Sequence, residues 1–359
     1  MQTTDLSKLV NPPEFLQRIL KTYSVKALQE VLATLPIVAE DEYVYDDASP
    51  DHGWRPGHLH WVPVGLERNN AGRIQLAGAP ENPIAERTVN AIEAMIEMAR
   101  QLELLGGEMP PPSSPRDAVR RYFDLPPLAE VPRIKQLIRG KKPRAHARDI
   151  ARNIRVRLIR DKAERQYTVV IEDDGIGQTP EKMHSTLLSL GGSDKDDKPY
   201  LIGMFGQGGS STYAACEYSW IVSRRHPRLL GSDSAGIGWT VVKRVTVKGR
   251  RLTYFAYLAA HPDGRVPVLP ADAADEIGFV TGSRFAHVKY NFGTSEPAAT
   301  LYKSLNHLLF NPVLPFELYT GPERNADPIY GNGYRLSLNR DKMVVKDKPF
   351  LRQPVERGK

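Results

Sequence analysis

Phe15, Ile19, Leu20, Tyr23, Ala27, Leu28 and Val31 recur at helical spacing behind a double proline, so residues 13–35 predict a helical start. The stretch that follows, to about Pro56, is acidic and turn-rich and reads as loop, and HWVPVG beyond it reads as an extended entry. From residue 83, Ile84, Val89, Ile92, Met95 and Ile96 keep returning to one side of a helix that Gly106-Gly107 ends. EMPPPSSP is loop, and residues 116–150 predict short helices rich in Arg and Lys. IRVRLIR and QYTVVIED, separated by DKAER, carry the alternation of a β-hairpin. A helix over 180–190, a glycine-rich loop, four further strand-like runs (YSWIVSRR, GWTVVKRVTV, RLTYFAYLAA, SRFAHVKYNF) and a helix LYKSLNHLLF complete the pattern. Helices interleave with strands joined by short turns, which predicts an α+β fold: a mixed, largely antiparallel sheet covered by helices.

Composition excludes several classes. The chain is 41% hydrophobic and 25% charged, too apolar for wholesale disorder. A single cysteine, Cys216, excludes an intrachain disulfide framework and a thiolate zinc cluster. No apolar run approaches the ~18 residues of a membrane span, and the first ten residues lack the charged-then-apolar pattern of a signal peptide, so the expectation is a cytoplasmic protein with no membrane partner. The net charge is +7, but residues 133–165 hold thirteen Lys/Arg against three acids, so the basicity belongs to one segment.

Three separated pieces carry chemistry. In Glu86-Arg-Thr-Val-Asn90-Ala91-Ile-Glu93-Ala94, residues 86, 90 and 93 share one helix face. Such a row suits a plain solvated stripe; an amide and a carboxylate one turn apart can also hold a hydrated magnesium ion and orient a water. Asp173-Asp174-Gly175-Ile176-Gly177 closes the second hairpin strand. An ordinary Asp/Gly turn fits it, as does a site where glycines let the backbone approach a flat ligand and a carboxylate accepts from an exocyclic amine such as that of adenine. Gly203-Met-Phe-Gly206-Gln207-Gly208-Gly209-Ser210-Ser211 has the wrong order and position for a dinucleotide fingerprint, but offers a cradle of backbone N–H groups for phosphates. No P-loop consensus, zinc-ligand spacing or G-x-S-x-G elbow occurs.

In order along the chain, these pieces resemble the GHKL superfamily of Bergerat-fold ATPases, with its E-x-x-x-N-A-x-D-A helix, D-x-G-x-G turn, G-x-x-G-x-G loop and later G-T strand, matched here by Gly282-Ser283. The flavour is closest to MutL and MORC ATPases. The resemblance implies a Bergerat-type α/β sandwich with helices on one face of the sheet, divided into an N-terminal segment (1–57), an ATPase domain (58–290) and the start of a transducer-like region (291–359). Residues 101–150 would be an inserted helical segment. It further implies ATP and Mg2+ as cofactors, with Glu86 as general base and Asn90 as magnesium ligand. Asp173 would recognise the adenine amino group, with Ser283 serving a shared water, beside Gly175 and Gly177. Gly203, Gly206, Gln207, Gly208, Gly209 and Ser210 would hold the triphosphate. Residues 189–209 would form a lid bringing Lys195 and Lys198 to the phosphates, and Lys342 or Lys346 would be the transducer lysine. Glu93 and Ser283 replace the family's Asp and Thr.

The implied activity is that of an ATP-hydrolysing switch or clamp whose protomers pair when nucleotide binds. The basic run suits either a solvated face, an acidic protein partner, or a DNA backbone bound through residues such as Arg139, Lys141, Lys142 and Arg144. The competing expectation is a nucleotide-sensing module or chaperone-like ATPase that binds no nucleic acid.

Overall fold

The computed structural model describes residues 11–76, 78–190, 197–202, 208–321 and 326–338. The N-terminal pattern folds as two helices, α1 (Pro12–Leu20) and α2 (Val25–Leu32). Ser24 separates them: its hydroxyl accepts the Ala27 N–H at 3.2 Å and so caps α2, while the Thr22 hydroxyl donates to the Arg18 carbonyl at 2.8 Å. Next come β1 (His60–Pro63), α3 (Glu81–Leu104), α4 (Pro115–Phe123), α5 (Pro143–Ala151), the predicted hairpin β2 (Ile154–Asp161) and β3 (Gln166–Asp173), and α6 (Pro180–Met183). The chain continues through β4 (Tyr218–Arg224), β5 (Ile237–Thr246), β6 (Thr253–Ala259), β7 (Val268–Leu269), α7 (Asp272–Asp275) and β8 (Gly282–Val288), then α8 (Pro297–Leu308), β9 (Phe316–Tyr319), β10 (Ala326–Ile329) and α9 (Gly331–Leu338).

The helix predicted over 180–190 stops after one turn. The Lys182 carbonyl accepts from the Thr186 N–H and also from the Ser185 and Thr186 hydroxyls, and the Leu188 N–H then reaches back five residues to Met183, so the regular i→i−4 ladder ends there.

The sheet runs β1-β6-β5-β4-β8-β3-β2-β9-β10, with β7 attached to β5. Every described pairing is antiparallel except β2 with β9, which makes the sheet mixed and largely antiparallel. On one face, Ile84, Ile92, Met95 and Ile96 of α3 pack on Val156, Leu158, Val169 and Ile171. The expectation of helices on one face only is corrected by the other side. There α1, α2 and α7 cover Val170, Trp220, Val222, Trp239 and Val241, with Phe15 4.8 Å from Trp239 between ring centroids. The Trp220 indole donates to the Thr22 carbonyl at 2.8 Å and Thr168 to the Tyr23 carbonyl at 2.6 Å, so the break between α1 and α2 is itself fastened to the sheet. The cause lies in the strands: the first six residues of β5 are all buried, and a strand apolar on both faces needs cover on both.

Residues 101–150 share the core of α3. Ala118, Val119, Leu125, Leu128, Val131, Ala147 and Ile150 join the same apolar cluster, as do Leu301, Leu305, Phe316, Leu318 and Ile329 from the C-terminal elements.

Candidate functional site

The turn after β3 is shaped by close approach on two sides. The Ile176 N–H donates to the Ala94 carbonyl of α3 at 3.0 Å, and a Cβ on Gly175 would stand 2.6 Å from that carbonyl carbon. Gly177 has φ +62°, and a Cβ there would fall 1.9 Å from the Arg224 carbonyl oxygen. The glycine spacing therefore reflects a turn wedged between α3 and the ends of β4 and β8. The Thr281 hydroxyl, donating to the Gly175 carbonyl at 2.7 Å, fastens the wedge.

Asp173 ends β3 only 3% exposed, its Oδ1 accepting the Gly175 N–H at 3.0 Å. Burial pushes its carboxyl up to about 6; the nearby Arg284 guanidinium and the Gly175 N–H pull the other way. Strand register sets Ser283 of β8 opposite Asp173, and Ser223 of β4 opposite Ser283. The two serine hydroxyls lie 2.9 Å apart, and Ser223 Oγ also accepts the Gln178 N–H at 2.9 Å. A carboxylate and two hydroxyls thus form one polar row across three strands.

This row opens into a cavity of ≈ 370 Å³ between α3 and the sheet, within the roughly 300–1,000 Å³ usual for small-molecule clefts. Of the sequence-predicted residues, Asn90, Asp173, Gly177, Gly209, Ser210 and Ser283 line it together. Gly175 lies behind the turn against α3, and Gly208 begins a 3-10 helix over Gly208–Ala215. Lys198 lines the cleft too, its Nζ 3.0 Å from Glu97 Oε1. Lys195, Gly203, Gly206, Gln207, Lys342 and Lys346 lie outside the described residues.

The predicted polar row on α3 is rearranged. Arg87, Asn90, Ala91, Glu93, Ala94 and Glu97 line the cleft, whereas Glu86 does not and is exposed. Partial desolvation holds the Glu86 carboxyl above its ordinary value, opposed by neighbouring Arg87. Glu93 is buried at 4% exposure and accepts the Ile202 N–H at 2.8 Å. Glu97 also accepts the Tyr200 hydroxyl at 3.0 Å, so two acids of α3 tether the chain just before the glycine loop.

Arg87, Glu97 and Ser223 were not singled out by sequence. The first two carry a signal, since 87, 90, 94 and 97 repeat at helical spacing. Ser223 carries none, because only strand register brings it to Ser283.

The basic segment divides. On β2, Arg155 pairs with both oxygens of Asp174, at 2.8 and 2.9 Å, and with Glu172 at 3.2 Å; Arg157 meets Glu172 at 2.9 Å. Those charges are neutralised within the fold. Arg139, Lys141, Lys142 and Arg144 are exposed around the start of α5, Lys141 pairing with Asp149 and Arg139 standing 3.4 Å from Asp124.

Among the described residues no helix is long and apolar enough to cross a membrane, and no group of three or more His, Cys, Asp or Glu is arranged to hold a metal ion. The sequence matches no family model and no curated protein, so the functional reading rests on the fold and the cleft.

Proposed function

We propose that this chain is a GHKL-type ATPase that binds ATP in the cleft between α3 and the sheet and uses Mg2+-dependent hydrolysis to drive a molecular switch. The observation that supports it is convergence: Asn90, Asp173, Gly177, Gly209, Ser210 and Ser283, chosen from four unconnected stretches of sequence, line one cavity. In this reading the Asp173 carboxylate accepts from the adenine amino group, and Ser283 presents a hydroxyl to a water shared with the base. Gly177 lets the ring lie close to the backbone, and the backbone amides at Gly209 and Ser210 meet phosphate oxygens.

The donor set fits magnesium, which keeps several waters and takes one or two protein oxygens beside those of the phosphates. Asn90 would supply that oxygen, with Glu86 one turn earlier on α3. Bound there, the ion would neutralise phosphate charge. Glu86 would take the proton of the attacking water, a role suited to a carboxyl whose proton affinity is raised. Glu86→Gln is therefore expected to lower ATP turnover by about 100-fold while ATP affinity, measured calorimetrically, stays within a few-fold. Unchanged turnover would remove Glu86 as the base.

A second reading, a nucleotide sensor without useful turnover, is favoured by the exposure of Glu86 outside the cleft lining. Wild-type protein that binds ATP but does not hydrolyse it would establish that reading.

For the partner, we propose a DNA backbone docked on the exposed basic residues at the start of α5, with protomers pairing when ATP is bound. Changing Arg139, Lys141, Lys142 and Arg144 together to Ala is expected to weaken duplex DNA binding at low salt and flatten its salt dependence. Affinity indifferent to the four changes would refute it.

A further inference from the structure

Three arginines of the described chain are almost wholly buried: Arg87, Arg100 and Arg224, at 4, 6 and 6% exposure. Two of them have carboxylates, Arg100 pairing with Glu103 and Arg224 with Asp275, each at 2.7 Å. Arg87 has no carboxylate within ion-pair distance among the described residues; Glu86, its neighbour on α3, acts on it only from further off. Its Nη2 donates to the Tyr213 hydroxyl at 3.1 Å, its guanidinium lies 4.4 Å from the Phe285 ring centroid and 5.5 Å from that of Tyr213, and its Nε has no hydrogen-bond partner. Aromatic faces and one neutral hydroxyl compensate a desolvated cation only in part.

The cleft is where an anion would meet this cation. Arg87 lines it, and a Cβ on Gly209 would stand 3.1 Å from both Cζ and Nη1 of Arg87 and 3.4 Å from Nδ2 of Asn90. The guanidinium, the Asn90 amide and the Gly209 backbone therefore share one corner, left open by the missing side chain. We infer that Arg87 is a phosphate-binding residue, its guanidinium donating to an oxygen of a polyphosphate held at that corner. The identity of that polyphosphate as ATP rests on the proposed function; its recognition by Arg87 rests on charge.

Thermal melting of the full chain in magnesium chloride, with sodium tripolyphosphate, adenosine or ATP added, separates the two ideas. Arg87→Gln keeps a donor for Tyr213 but removes the charge, and Arg87→Lys keeps the charge. Tripolyphosphate is expected to raise the melting temperature of the wild type and of Asp173→Asn, to lose that effect in Arg87→Gln and to regain most of it in Arg87→Lys. Adenosine should show the reverse dependence, failing with Asp173→Asn and surviving Arg87→Gln. ATP affinity should fall about 30-fold or more in Arg87→Gln. A tripolyphosphate response that survives Arg87→Gln overturns the inference and leaves the ATP reading standing. A response that depends on Arg87 without any to ATP or adenosine does the opposite, and a wild type indifferent to all three probes overturns both. Should Arg87→Gln fail to fold by circular dichroism, Arg87→Lys decides: tripolyphosphate protection within a few-fold of wild type supports the inference, and its loss from a folded lysine variant refutes it.

Discussion

Asp173→Asn is expected to weaken adenine-nucleotide binding by roughly 100-fold or more while making the ligand-free protein harder to unfold. Burial raises this carboxyl from its ordinary 3.8 to about 6, so the folded state favours the neutral form. The stability tied to that form is fully present below pH 3.8, is lost as pH rises through 6, and is absent at neutral pH. Asparagine supplies a permanently neutral isostere whose carbonyl can still accept the Gly175 N–H. At pH 7.5 the gain is about 2–3 kcal/mol, visible as a higher urea midpoint, and it should vanish near pH 4. A lower or unchanged midpoint at pH 7.5 would mean that the buried carboxylate is not strained. Binding moves the other way. The variant replaces an acceptor with an amide that can present N–H to N–H, at a cost of roughly 100-fold in affinity or more. In the wild type, nucleotide affinity should weaken as pH falls through about 6, when the acceptor is protonated.

Gly177→Ala is expected to be the most damaging single change in the site. It combines a positive φ with a contact of 1.9 Å to backbone, where no rotamer can relieve the clash, so the ends of β3 and β4 must part. Gly249→Ala provides the control, since φ there is +76° but nothing lies within 4 Å of the added carbon. The control should cost only the backbone strain, about 1–2 kcal/mol. Gly177→Ala should exceed that by at least ~2 kcal/mol in chemical denaturation, and equal losses would show that the wedge yields.

Local pattern made much of this fold legible. The hairpin of β2 and β3 appears where alternation and a polar turn predicted it, and α3 runs from Glu81 to Leu104, close to the helix read from its apolar spacing and terminal glycines. What local pattern could not supply is pairing. Nothing near Phe316 announces that β9 will lie parallel to β2, and nothing near Ser223 announces that it will reach Ser283, since both depend on sheet order. The need for cover on the second face was present in the sequence as the apolar stretches Trp220–Val222 of β4 and Trp239–Val242 of β5, the latter broken only by Thr240, but strand runs alone do not say which helices supply it. The candidate site follows the same division. Asn90 and Asp173 stood out by residue type and spacing and Ser283 through the resemblance alone, whereas nothing in the spacing of residues 86, 90 and 93 told that Glu93 would be buried with its carboxylate accepting a backbone N–H 109 positions later, that of Ile202.

The helical layer on the second face also fixes what light can report. All four tryptophans, Trp54, Trp61, Trp220 and Trp239, are buried in the apolar clusters of the fold, three of them in the cluster under α1 and α2, and none lines the cleft. The emission of those three is a gauge of whether the N-terminal pair remains seated, and ligand entering the opposite side of the sheet leaves their surroundings untouched. Trp54 instead shares a cluster with Phe285, which lines the cleft, so any change of emission on filling the cleft should come from Trp54.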